Sequence, residues 1–183
     1  MSEEDTPQSK LALTQVLRRL PPEFVETVLT HVQNEERDSF ATIMAVLSGA
    51  LKYRPNIWRK WPKPRQREWL RDNLRSPRFA DSAQHLLQEW FFSQRVEMLN
   101  AFLDVIGIEH DSEGCIRGDI PDEFDPEKTR AGAEALLEKY PPLEVSLYLR
   151  LFQLGRKGGW QQIADLLDTD PRLALNPPPA AAA

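Results

Sequence analysis

Fifteen prolines cut the 183-residue chain into short segments and fix where helices can begin and end. A proline ring removes a backbone donor and disfavours the helical region for the residue before it, yet suits the first position of a helix. The pairs Pro21-Pro22 and Pro141-Pro142 therefore stop one helix and open the next.

Between these breaks the apolar residues recur at spacings of three and four, the mark of helices with one buried stripe. A first helix is expected from a Thr6-Pro7 start to Leu20, with Leu11, Leu13, Val16, Leu17 and Leu20 on its apolar side. Phe24, Val25, Val28, Leu29 and Val32 form the stripe of a second, and Phe40, Ile43, Met44, Leu47 and Leu51 that of a third over 37–52. Further helices are expected over 65–74, from Ser76-Pro77 through Phe91, over 94–106 to a stop at Gly107, from Asp125-Pro126-Glu127 to Tyr140, from Pro142 to Leu154, and after Gly158-Gly159. The one ending at Leu154 is apolar nearly all round and should be central. Asp170-Pro171 can open one more turn. No segment alternates apolar and polar residues as a strand would. The expectation is an all-α fold of about eight to nine helices joined at Pro-rich turns, either a bundle or a short stack of helical hairpins.

The expected organisation follows from these breaks. Residues 1–6 should be a disordered N-terminus, 7–107 a helical part, and 108–125 an acidic irregular connector. Residues 126–175 should be a C-terminal helical part packing on the first, and 176–183 a disordered Pro/Ala tail. A single cysteine, Cys115, leaves no disulfide framework within the chain. The acidic start lacks the apolar run of a secretory signal, and no apolar stretch approaches the roughly 20 residues of a membrane span. A cytoplasmic protein with no membrane association is expected.

The net charge of −5 conceals a polarised chain. Residues 52–78 hold ten basic side chains against Glu68 and Asp72, a net of +8, while the rest carries 13 basic against 26 acidic. Residues 109–127 hold eight acids against Arg117 alone. Aromatic rings interleave with the cations of the basic segment, and arginine outnumbers lysine there by seven to three, which favours planar, bidentate contacts to carboxylate or phosphate. Tyr53, Arg54, Trp58, Arg59, Lys60, Trp61, Lys63, Arg65, Arg67 and Arg71 are accordingly the candidate partner-binding residues. An acidic protein partner is the first expectation, because tryptophan and arginine concentrate at the centres of protein interfaces. Nucleic acid is the second, since the same mixture can pair with phosphates and stack on bases, although net negative charge elsewhere opposes it. A segment that merely braces its own fold, in a structural protein, is the third.

Leu17-Arg18-Arg19-Leu20-Pro21-Pro22 is echoed 120 residues later by Leu137-Glu138-Lys139-Tyr140-Pro141-Pro142. At that offset Val25 meets Val145, Leu29 meets Leu149, Phe40 meets Trp160, Ile43 meets Ile163 and Leu47 meets Leu167. A fainter echo at an offset of 50 sets Leu86–Trp90 against Leu136–Tyr140.

Searches for chemistry return little. No phosphate-cradling glycine loop, nucleophile elbow or His-Glu-x-x-His spacing is present, and His31, His85 and His110 stand far apart. The run from Glu109 to Cys115 is the one cluster of metal-capable side chains, with Cys115 expected to pack as a small apolar residue. No catalytic residue, metal or cofactor is expected.

Overall fold

The computed structural model describes residues 7–54 and 56–175. It is all-α, with nine α-helices among the described residues. They are α1 (Leu13–Arg19), α2 (Pro22–Asn34), α3 (Arg37–Ala50), α4 (Lys63–Leu74), α5 (Ala80–Gln94), α6 (Val96–Ile106), α7 (Pro126–Leu137), α8 (Pro142–Leu154) and α9 (Gln161–Thr169). Short 3-10 turns stand at Gln8–Lys10, Trp58–Lys60, Pro77–Phe79 and Pro171–Leu173. Among the described residues no helix is long and apolar enough to cross a membrane. Thr6 of the expected first helix start, Pro55 of the basic segment, and the terminal segments 1–6 and 176–183 lie outside the described residues.

The described residues divide into two compact units, 12–90 and 7–11 with 91–175. The division falls inside α5, between Trp90 and Phe91, and the acidic connector 108–125 sits in the same unit as α6 and α7.

In the unit 12–90, α2 packs against both α3 and α4. Proline opens α2 and α4, and of the expected stripes Val25, Val28, Leu29, Val32, Phe40, Ile43, Met44 and Leu47 are buried, with Leu70 and Leu74 from α4, whereas Phe24 and Leu51 are half-buried. The third helix ends in a Schellman turn, Lys52 N–H donating to Gly49 O (3.1 Å) and Tyr53 N–H to Ser48 O (2.9 Å). Lys52 holds the left-handed position at φ 56° that glycine usually takes, and Arg78 donates to the Ala50 carbonyl at 2.6 Å.

In the unit 7–11 with 91–175, α7 lies along α6, and α8 runs through the middle with Val145 to Leu151 buried without a break. The Asp125 carboxylate accepts from the N–H groups of Glu127 and Lys128, which caps α7 as expected. Two charged side chains are buried on α8. Glu144 receives a bidentate pair from Arg95, at 2.6 and 3.1 Å. Arg150 donates to Ser146 Oγ (3.3 Å), to Leu173 O (3.5 Å), and to the main-chain and side-chain oxygens of Gln8. One guanidinium thus holds segments from near both ends of the sequence.

The first helix begins later than its periodicity predicts. Residues 8–10 form a 3-10 turn, Leu11 and Ala12 are extended, and α1 starts only at Leu13. Tertiary bonds outweigh local propensity here: Ser9 N–H and Oγ both donate to the Asp168 carboxylate at 2.7 Å, while locally Gln15 Oε1 accepts from the N-cap Ala12 N–H at 2.9 Å.

The echo at 120 residues has a local structural counterpart. Helices α2 and α8 start on Pro22 and Pro142, run 13 residues each, and follow prolines with φ,ψ of −55°,134° and −57°,135°. The pairs Val16/Leu136, Val25/Val145, Leu29/Leu149, Phe40/Trp160, Ile43/Ile163 and Leu47/Leu167 are buried in both members. At the offset of 50 the agreement fails, since Trp90 lies inside α5 whereas Tyr140 follows the end of α7. Leu29→Ala and Leu149→Ala should each lower stability by about 2–5 kcal/mol in chemical denaturation. A truncation costing under about 1 kcal/mol at either site would show that the paired positions are not equivalently packed.

Candidate functional site: the basic aromatic ledge

Residues 52–78 are shaped by two left-handed backbone positions and a 3-10 turn. Lys52 and Asn56, at φ 56° and 64°, turn the chain out of α3 and into Trp58–Lys60. Non-glycine residues in this region cost roughly 1–2 kcal/mol each, so the surroundings must hold them there.

The hold is a polar relay. Arg67 on α4 donates from Nε to Glu26 Oε1 at 2.5 Å and from a terminal nitrogen to Gln33 Oε1 at 2.7 Å, both on α2. The Gln33 amide donates to Gln66 Oε1 (3.0 Å) and Lys63 O (3.3 Å). Gln66 in turn donates to Trp58 O (3.2 Å) and Trp61 O (3.0 Å). The buried amide of α2 thereby reaches the carbonyls of the 58–61 turn through one intermediary. Lys63 Nζ adds a bond to Asn34 Oδ1 at 2.9 Å.

The tryptophans divide by depth. Trp58 is 7% exposed and belongs to the core, with Arg59 over its ring at 5.5 Å. Trp61 and Trp69 are half-buried and form a cluster with Tyr53, which is 41% exposed. Ring centroids lie 5.7 Å apart for Trp61–Trp69 and Tyr53–Trp69, and 6.2 Å for Tyr53–Trp61, all edge-to-face. Arg65 covers Trp61 at 4.8 Å. Ile57, 37% exposed, adds an apolar side chain to the same turn.

The cations divide as well. Arg67 is consumed by Glu26 and Gln33, Arg71 by Asp72 (3.1 Å) and Glu68 (4.0 Å), Lys63 by Asn34, and Arg78 by the end of α3. Arg54, Arg59, Lys60 and Arg65 are exposed and have no carboxylate partner among the described residues. Of the ten candidates, then, Tyr53, Arg54, Arg59, Lys60, Trp61 and Arg65 form the outer surface, while Trp58, Lys63, Arg67 and Arg71 fix its base. Reading from sequence missed the relay, although Gln33 on the apolar stripe of α2 was a visible anomaly.

The acidic connector is ordered by its own bonds. Asp111 N–H donates to Cys115 O (2.9 Å) and Arg117 N–H to Glu109 O (2.7 Å), closing a small hairpin around an isolated bridge between His110 and Ile116. Asp111 Oδ1 accepts from Glu113 and Cys115 N–H, and these bonds, the one from Cys115 first, hold its carboxyl below the usual carboxylate range. Cys115 faces solvent, against its expected burial, because Gly114 takes the inward place at φ 85°, where an added Cβ would meet Leu99 at 3.0 Å. No group of three or more His, Cys, Asp or Glu side chains converges among the described residues.

No family model matches the chain, and searches of curated proteins and of solved structures return no match.

Two outcomes follow from the polar contacts. Gln33→Met strands a donor on Arg67 and an acceptor on Gln66 and should cost roughly 1–3 kcal/mol in denaturant unfolding. A loss below about 0.5 kcal/mol would mean that water replaces the relay. His110 is raised above its ordinary pKa by its bond to the Asp111 carbonyl (2.7 Å), then by the Asp104 carboxylate (3.1 Å). Its stabilisation is therefore complete below the unfolded value of about 6.5 and is lost as pH rises through the higher folded value. His110→Gln should flatten this dependence in thermal unfolding, and an NMR titration of His110 at or below the unperturbed value would contradict it.

Proposed function

We propose that this protein is a non-catalytic helical adaptor that binds an acidic protein segment through Tyr53, Arg54, Ile57, Arg59, Lys60, Trp61 and Arg65. The observation that carries this reading is the division of the cations: Arg54, Arg59, Lys60 and Arg65 are exposed without an acidic partner among the described residues, on the segment that holds a half-buried aromatic cluster, with Arg65 over Trp61. Exposed like charges repel one another modestly in water, and a carboxylate-rich ligand relieves that repulsion while the rings and Ile57 supply apolar area. The relay beneath keeps the 58–61 turn in place, which lowers the ordering cost of binding.

A protein ligand suits this surface better than a nucleic acid. Bases need open ring faces, and Trp61 is occupied by Arg65 and abutted by Tyr53 and Trp69. The helical scaffold is read as containing two copies of one helix–Pro-Pro–helix module, on the matched torsions and burial of α2 and α8.

A glutamate-rich peptide with one aliphatic residue should bind the full chain in low salt, monitored by tryptophan fluorescence, and weaken as salt rises. Arg59→Glu with Arg65→Glu should reduce affinity by about tenfold or more, corresponding to at least ~1.4 kcal/mol. Failure of every acidic peptide to bind at low salt sinks the proposal. Tighter binding of single-stranded oligonucleotides, with a steep salt slope, would replace it by the nucleic-acid reading.

A further inference from the structure

We infer that the acidic segment taken by the ledge is the connector of a second copy of this chain, an inference that rests on the ledge being a binding surface. The charge balance points there first: 52–78 carries a net of +8, and 109–127 a net of −7 from eight acids and Arg117. The acids of the connector divide as the cations of the ledge do. Asp111 is taken by backbone N–H groups, Asp122 pairs with Arg156 at 2.6 Å, and Asp125 caps α7. Glu109, Glu113, Asp119, Glu123 and Glu127 are exposed and make no ion pair among the described residues. The connector thus holds exposed carboxylates without a cation, and the ledge exposed cations without a carboxylate.

The connector also carries the apolar element that the ledge calls for. Ile120, 39% exposed, follows Asp119 and precedes Pro121 and Asp122. Its base is fixed: Trp160 Nε1 donates to Pro121 O at 3.0 Å, and buried Phe124 packs on Trp160 with centroids 5.1 Å apart. Ile120 is therefore an aliphatic knob rimmed by carboxylates and held on an anchored turn. Tyr53 and Ile57 are exposed apolar side chains on a segment whose exposed neighbours in sequence are Arg54, Arg59 and Lys60. Such a contact places different surfaces of two copies against each other, so each bound pair still offers one free ledge and one free connector, and assembly grows with concentration.

Sedimentation velocity of the full chain, at protein concentrations from about 1 to 300 µM, should show mass rising with concentration in about 50 mM salt and falling back to monomer in about 500 mM. The ledge variant Arg59→Glu/Arg65→Glu and the connector variant Asp119→Lys/Ile120→Ser/Glu123→Lys should each be folded by circular dichroism and monomeric alone. Mixed in equal amounts they should pair, because one keeps its connector and the other its ledge, and stop at heterodimers. A wild-type chain that stays monomeric throughout overturns the inference, as does a mixture that does not associate. The glutamate-rich peptide separates the two levels. If it binds in a ledge-dependent way to a chain that never self-associates, the second copy is wrong and the ledge stands. If it does not bind and the chain does not associate, both fall.

Discussion

The outer surface of the ledge depends on the hydrogen-bonded relay from Glu26 and Arg67 through Gln33 to Gln66. Helix α4 buries only Leu70 and Leu74 fully, too little apolar area to dictate its seating alone. The relay supplies direction instead: each member has a partner on another element, and its far end grips the carbonyls of the turn that carries Trp58 and Trp61. A buried amide network of this kind is costly if half satisfied, so it tolerates few alternative positions of α4 against α2. Precision in the ledge thus originates one layer below it.

Helix boundaries were legible in the sequence because proline acts locally. Pro22, Pro126 and Pro142 open helices for reasons contained in their own rings, and the 3.6-residue stripes between them report burial directly. Where the reading missed, a distant partner had intervened. Nothing near Ser9 announces that Asp168 will take its N–H and hydroxyl and break the first helix. Nothing around Cys115 announces that Gly114 must face Leu99 and thereby turn the thiol outward.

The candidate site was legible as a composition and illegible as a surface. The density of arginine and tryptophan over 52–78 marks the segment, but periodicity is useless in the part before α4, which is made of a Schellman turn, left-handed residues and a 3-10 turn. Trp58 and Trp61 are three apart and would share a face of a regular helix, yet one is core and the other part of the outer cluster. Likewise Arg65 and Arg67 read alike, and only the position of Glu26 on a neighbouring helix separates a free cation from a structural one.

Arg150 has a consequence for the order in which the chain comes together. Its acceptors on Gln8 leave the ribosome some 140 residues before the guanidinium itself does, and Leu173 follows later still. The unit 12–90 is contiguous and can close its core while synthesis continues, whereas the other is assembled from both sides of it. The stretch beginning at Pro7 is made before either body of helices, and its bonds to Arg150 and Asp168 can close only once those residues have been made.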